Sequence, residues 1–202
     1  MRQLLPAEIV SGVPPLILLD EGYEVSFTWE QVFSFLGYRN IIASAIMTRL
    51  FSRAFRELSP DAPPDREELA LLTAFPGEGI LEALELVTRV PTRHPERLVI
   101  NPLAGPDEAP RVPGGRFYLE IQVGQQRRGY WPSTDLINDR FRDQVERFQE
   151  GAGTPREQEQ YRRYKEETAR HILHLEEDEL FTSRPPSSLV SFSRDVPGAS
   201  AT

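Results

Sequence analysis

Residues 28–58, TWEQVFSFLGYRNIIASAIMTRLFSRAFREL, carry the strongest helical pattern in the first half of the chain. Thr28 and Gln31 match a capping box, in which the threonine hydroxyl accepts the Gln31 amide hydrogen and the glutamine side chain reaches back. The pattern predicts one buried central helix from Thr28 to about Leu58, although Gly37 costs about 1 kcal/mol relative to alanine inside a helix. Its broad apolar face follows helical spacing and comprises Val32, Phe35, Leu36, Ile42, Ala45, Ile46, Leu50 and Phe55.

Shorter patterns around this helix predict an α+β fold. The clearest is residues 154–157, TPRE, which combine an N-cap, a proline at the first helical position and an acid three residues after the cap. Residues 117–123 alternate between apolar and polar side chains, as in a half-buried antiparallel strand. We expect other strands near residues 16–19, 68–75, 97–100 and 130–131, and other helices near residues 80–88, 134–150 and 155–174.

The order of these elements predicts a single domain over residues 1–182. Strands and helices follow in separate groups, which is typical of α+β proteins. We therefore expect a long buried helix, a small mixed or antiparallel sheet and a C-terminal helical pair. Residues 183–202 are rich in proline, serine and small side chains, and this composition predicts a disordered tail.

Charge and composition exclude several classes of function. The formal net charge is −8 and there is no basic run, so we expect no nucleic-acid binding, which needs clustered lysine and arginine. The chain has no cysteine, which excludes disulfides, thiolate catalysis and cysteine-based zinc sites. No apolar stretch approaches the roughly 18 residues of a membrane span. The N-terminal segment does not match a signal peptide, and we expect a cytoplasmic protein.

Three segments resemble the FmdE family of formylmethanofuran dehydrogenase-related proteins, over roughly residues 25–181. The resemblance implies an α+β core that is usually dimeric, with a cluster of histidine and cysteine as the family's candidate metal site. It therefore implies a homodimer for this chain. The segments are residues 36–39 (LGYR), residues 71–84 (LLTAFPGEGILEAL), and the closing helical pair with residues 153–157 (GTPRE) and 179–181 (ELF).

The residues of the family's metal motif are replaced in this chain. Aligning the motif H-G-H-x-C-P-G with residues 27–33 puts Phe27 and Trp29 at the two histidines and Gln31 at the cysteine. A later cysteine of the family falls at Pro76. The resemblance thus implies the scaffold without its metal, and we expect no cofactor.

Two kinds of site remain possible in the pocket that the resembled fold implies. Glu30 begins the long helix and Glu78 begins the next one, so this pair could perform acid–base chemistry if burial separated their pKa values. The alternative is that acids in a first helical turn only stabilise the helix. The second kind of site is an apolar pocket for a flat ligand, and the alternative is that aromatic rings fill it. Its candidate lining is Phe27, Trp29, Gln31, Phe33, Tyr38, Arg39, Pro76 and Glu82.

A metal site on the last long helix is a further possibility. His171 and His174 are three residues apart, so both imidazoles lie on one helix face and could bind one ion. The alternative is a polar helix end, where imidazoles interact well with the helix dipole.

The sequence leaves three hypotheses for the function. The first is a metal-free FmdE-like protein that binds a small ligand or a protein partner without redox chemistry. The second is a carboxylate-assisted lyase or hydrolase that uses Glu30 or Glu78, with Arg39 holding an anionic substrate. The third is a structural component of a larger complex, which would expose a large apolar patch.

Overall fold

A computed structural model of the chain describes residues 12–148 and 151–186 and confirms the α+β class. A five-stranded sheet has the order β4-β3-β7-β8-β9, and only the β3–β4 pair is parallel. The strands are β1 (Leu16–Asp20), β2 (Tyr23–Phe27), β3 (Leu69–Thr73), β4 (Leu98–Ile100), β5 (Arg111–Val112), β6 (Gly115–Arg116), β7 (Leu119–Val123), β8 (Gln126–Pro132) and β9 (Phe181–Arg184). The helices are α1 (Trp29–Leu36), α2 (Ile41–Leu58), α3 (Glu78–Thr88), α4 (Val90–Arg93), α5 (Asp139–Phe148), α6 (Pro155–His174) and α7 (Glu177–Leu180).

The main core lies between the sheet and α2, which packs against α1, α3 and α6. Both capping boxes are formed, at Thr28 and at Thr154. The opposite face of the sheet carries a smaller apolar cluster around Tyr118 and Trp131. Because both faces are covered, β7 is not the half-buried strand that its alternation predicts. Its polar residue Glu120 is fully buried and accepts hydrogen bonds from the Tyr118 hydroxyl and from Arg127.

The predicted helix over residues 28–58 is two helices. α1 ends at Leu36, and Gly37 has a φ of 72°, a value that glycine adopts without the steric cost borne by other residues. A short 3-10 turn over residues 38–40 then leads into α2. Phe35 therefore lies outside the core, with 54% of its surface exposed. The consequence for function is that the region contains two helix starts, at Trp29 and at Ile41.

Three smaller differences from the sequence predictions have local causes. β2 was not expected, and it pairs with β1 in an antiparallel hairpin. α5 begins at Asp139 instead of near residue 134, because Asn138 accepts the Phe141 amide hydrogen as a cap. Ser183 and Arg184, at the start of the predicted tail, lie in β9. The rest of that prediction, beyond Pro186, falls outside the described residues.

A buried arginine joins α2 to the C-terminal elements. Arg53 is 8% exposed, and its Nη1 donates hydrogen bonds to the carbonyl oxygens of Glu177 and Phe181 at 2.8 and 2.5 Å. Its Nε donates to Glu57 Oε1 at 2.8 Å, and its Nη2 lies 3.1 Å from Asp178 Oδ1. Each nitrogen of the guanidinium therefore has an acceptor, and these contacts hold α7 and β9 against α2.

Candidate functional site

The start of α3 packs closely against the start of α2. A Cβ atom added at Gly79 would lie 2.8 Å from the Ala43 Cβ, so glycine allows the two helices to approach. Asn40 Nδ2 donates to Glu82 Oε2 at 3.2 Å, and Arg39 Nε lies 3.6 Å from Glu78 Oε2. The turn before α3 therefore meets the second of the two helix starts.

Phe27, which precedes the cap of α1, is by contrast linked through one side chain to the other end of α3. The Phe27 ring is 5.4 Å from the guanidinium carbon of Arg66. That arginine donates to the carbonyl oxygens of Val87 and Leu86, in the last turn of α3, at 2.9 and 3.1 Å. A helix of this length rises about 16 Å from end to end. Phe27, just before α1, is thus linked to the end of α3 opposite Glu78, and the carboxylates of Glu30 and Glu78 are both exposed.

The aromatic residues aligned with the metal motif lie mostly in or beside the core. Trp29 is 2% exposed, its Nε1 donates to Ser44 Oγ at 3.2 Å, and its ring stacks on Phe33 at 5.4 Å. Gln31 is exposed, and its side chain accepts the Thr28 amide hydrogen of the capping box. Trp29 and Gln31 thus contact other groups of the protein, whereas the sequence hypothesis expected them to contact a ligand.

A partly enclosed cavity of about 120 Å³ opens where α2 and α3 begin. A single water needs about 10–15 Å³ by this measure, so the cavity has room for several waters or a ring-sized ligand. Most of its lining is apolar, and helices α5 and α6 contribute to its wall together with the starts of α2 and α3. Four aromatic rings contribute to its wall: Phe75, Phe117, Phe141 and Tyr161.

One buried amine lines this cavity. Lys165, on α6, is 8% exposed and is the only lysine of the chain. Its Nζ donates to the Tyr38 carbonyl oxygen at 3.3 Å and lies 4.6 and 5.2 Å from the ring centroids of Tyr38 and Tyr161. No carboxylate within residues 12–148 and 151–186 forms an ion pair with it. Burial lowers the pKa of this amine, and the charges of Arg162 and Arg39 lower it further.

The polar groups around the cavity favour an anion. Arg39, Arg142 and Lys165 line it, against the single lining carboxylate of Glu78, and Arg142 also pairs with Asp139 outside the lining. Gly77 precedes α3 and provides no capping side chain, and the first amides of a helix attract negative charge. The cavity therefore combines aromatic walls with a cationic edge.

The structure divides the residues proposed from the sequence into three groups. Arg39 and Glu78 line the cavity, and Pro76 stands between two lining residues, Phe75 and Gly77. Tyr38 and Glu82 lie next to it, because they bond Lys165 and Asn40, which line it. The residues that do not line it are Phe27, Trp29, Glu30, Gln31 and Phe33.

Sequence reasoning missed Lys165 and the contribution of α5. The sequence contains a signal that Lys165 faces the core, because Tyr161, Lys165, Ala169 and Ile172 follow helical spacing. The structure buries all four residues. A lone lysine on an apolar helix face is unusual in a chain whose other basic residues are arginines. The positions of Phe141 and Arg142 at the cavity follow only from the packing of α5 on α6.

The histidine pair on α6 does not form part of this cavity. His174 Nδ1 lies 2.8 Å from the Arg170 carbonyl oxygen, and His171 borders a separate, more polar depression near Ser133. Within the part of the chain that the structure describes, no group of three or more His, Asp or Glu side chains is arranged to hold a metal ion. No helix in the same part is long and apolar enough to span a membrane.

Comparison with known proteins gives no assignment. No model of a protein family matches the chain, and no curated protein matches its sequence. The site therefore has to be interpreted from its own chemistry.

Proposed function

We propose that this protein binds a small anionic ligand with an aromatic body in the cavity between α2, α3, α5 and α6. The proposal keeps the hypothesis of a metal-free, FmdE-like ligand-binding protein and moves its site from the first helix start to the second. The observation that carries it is the buried amine of Lys165 in a cavity walled by aromatic rings. An apolar pocket with a few convergent polar groups is the usual form of a small-molecule site.

The charges at the cavity support the choice of an anion. A carboxylate in the cavity would give Lys165 the counter-ion that it lacks among the described residues. Arg39 offers a second cation at the rim, where its present partner Glu78 is more than half exposed. Exposed pairs of this kind contribute about 0–1 kcal/mol, so a ligand carboxylate can replace Glu78 at little cost.

Titration calorimetry with mandelate, a ring that carries a carboxylate, tests this function. We expect saturable binding of mandelate and none of benzylamine, a cation of similar size. Lys165→Met and Arg39→Gln should each weaken mandelate binding about tenfold, which corresponds to about 1.4 kcal/mol. Arg163→Gln is the matched control, because Arg163 is exposed on α6 outside the cavity.

A second pair of variants tests the location of the site. Val145 lines the cavity from α5, so Val145→Phe should occupy part of it and abolish mandelate binding. Val25→Phe enlarges an equally half-buried valine on β2, away from the cavity, and should leave binding unchanged. Equal binding of mandelate and benzylamine, or mandelate binding that survives Val145→Phe, would contradict the proposal.

A further inference from the structure

We propose that Lys165 is a carbonyl-reactive amine, which forms an imine with a ligand that carries an aldehyde or 2-oxo group next to its aromatic ring. This inference rests on the proposed function, since the ligand has to enter the same cavity. It adds the functional group of the ligand, a carbonyl, with which the site forms a covalent bond. The geometry behind it is an amine that is nine-tenths buried and lines an apolar cavity.

The surroundings of Lys165 raise the fraction of neutral amine, which is the nucleophilic form, above that of an ordinary exposed lysine. Burial in an apolar environment disfavours the ammonium ion, and a lysine buried in such an environment can attack carbonyl groups at neutral pH. Its Nζ has one backbone carbonyl and two aromatic rings as neighbours. None of these is a negative charge that would hold the proton.

The charged groups around the amine act in the same direction on balance. Burial is the largest cause of its lowered pKa, and arginines on two elements add to it, whereas one glutamate opposes them. The titratable and charged side chains that face this part of the cavity are Tyr38 and Arg39 before α2, Glu78 on α3, Arg142 on α5, and Tyr161, Arg162 and Glu166 on α6.

The reaction needs no redox partner. The nitrogen lone pair adds to the carbonyl carbon and gives a carbinolamine. The carbonyl oxygen then leaves as water with the two hydrogens of the amine, and a carbon–nitrogen double bond remains. A 2-oxo acid would place its carboxylate beside Arg39 while its carbonyl carbon meets Lys165, so one ligand can use both features of the cavity.

Reductive trapping on the full chain tests the inference. Phenylglyoxylate, the 2-oxo counterpart of mandelate, is added with cyanoborohydride, and peptide mapping by mass spectrometry locates the modified amine. The chain offers only Lys165 and its α-amino group. Arg163→Lys adds an exposed lysine on the same helix as an internal reference. We expect Lys165 to be modified at least about tenfold faster than this reference, because its lowered pKa leaves more of the amine neutral and the cavity holds the carbonyl group beside it.

The outcomes separate this inference from the proposed function. Fast modification of Lys165 that saturating mandelate blocks supports both. Mandelate binding with Lys165 modified no faster than the reference lysine overturns the imine and leaves the binding function standing. Absence of mandelate binding together with slow modification overturns both. Fast modification that mandelate does not block contradicts the claim that the carbonyl compound reaches Lys165 by binding in the cavity. Lys165→Arg, which keeps the cation, should retain mandelate binding and lose the modification.

Discussion

The junction around Arg53 and the cavity around Lys165 each contain one buried basic side chain, and the two residues are equally buried at 8% exposure. Arg53 donates to two carbonyl oxygens and to Glu57, and it also pairs with Asp178. Lys165 donates to one carbonyl oxygen, at 3.3 Å, and otherwise faces aromatic rings and open space. Both side chains are shielded from water, but only the second one borders room for another molecule.

This contrast shows that burial of a cation does not by itself identify a functional site. A planar guanidinium can satisfy several acceptors at once, and such a buried network fixes neighbouring elements. A desolvated amine with few partners changes its pKa instead and becomes reactive. The number and type of partners therefore distinguish the structural junction from the candidate binding site.

The largest expected effect is the loss of stability on removing Arg53. Arg53→Met leaves the carbonyl oxygens of Glu177 and Phe181 without their Arg53 donor and removes the cation beside Glu57, and breaking such a buried network costs about 3–5 kcal/mol. Arg56→Met is the matched control, because the Arg56 side chain is 64% exposed and its partner Glu177 keeps an ion pair with Arg49, so the variant should cost about 0–1 kcal/mol. Urea unfolding measures both. Equal costs for the two variants would remove the structural role assigned to Arg53.

The second effect concerns the close contact that forms the cavity. Glycine to alanine inside a helix normally stabilises by about 0.5–1 kcal/mol. Gly79→Ala should instead destabilise the protein by about 1–3 kcal/mol, since its new methyl group would meet Ala43 at 2.8 Å. The sign of the change in unfolding free energy is the result that matters, and a gain in stability would show that α2 and α3 are not packed this tightly.

The third effect is small and depends on pH. Lys165→Met should be neutral or stabilising by about 1 kcal/mol at neutral pH, since a well-packed apolar side chain replaces a poorly paired buried charge. The lowered pKa of Lys165 means that protonation opposes folding below the folded-state pKa, and that this penalty disappears as pH rises to the ordinary value of 10.5. Unfolding curves at several pH values should show the advantage of the variant shrinking with rising pH. An advantage that grows with pH would contradict this account.

The smallest effect is the acid sensitivity of the Arg53 junction. Burial acts to raise the pKa of Glu57, but the hydrogen bond and charge of Arg53, together with the hydrogen bonds from Ser183 and Tyr130, outweigh it, and the pKa lies below its ordinary value of 4.5. The resulting stability is present above that value and is lost as pH falls through the lower, folded-state pKa. On acidification, the Glu57→Gln variant should lose less unfolding free energy than the unchanged protein, and the difference should be about 1 kcal/mol or less. Glu30→Gln, at an exposed residue, should leave the slope unchanged.

The sequence predicted those parts of the fold that depend on local patterns. The capping boxes at Thr28 and Thr154 involve residues three positions apart, so the sequence alone defines them. The sequence could not show whether Gly37 ends a helix or lies inside one, because a positive φ does not change the spacing of the apolar residues. The burial of Glu120 depends on a loop that covers the second face of the sheet, which is a tertiary contact.

The candidate site was less accessible to sequence reasoning, for a related physical reason. Once Gly37 separates α1 from α2, the helix start that meets α3 is the one beside Arg39, ten residues after Trp29. The prediction therefore included Arg39 and Glu78 but centred on the first helix start, whose residues do not line the cavity. Lys165 comes from an element 126 residues further along the chain than Arg39, and only the packing of α6 against α2 brings it to the cavity.

A map of backbone amide chemical shifts during titration with mandelate tests the central claim most directly. We expect saturable shifts concentrated at residues 77–80 and in α6 around Lys165, and the Lys165→Met variant should need about ten times more mandelate to reach them. Shifts confined to the depression beside Ser133 and His171, or no saturable shifts at any residue, would contradict it.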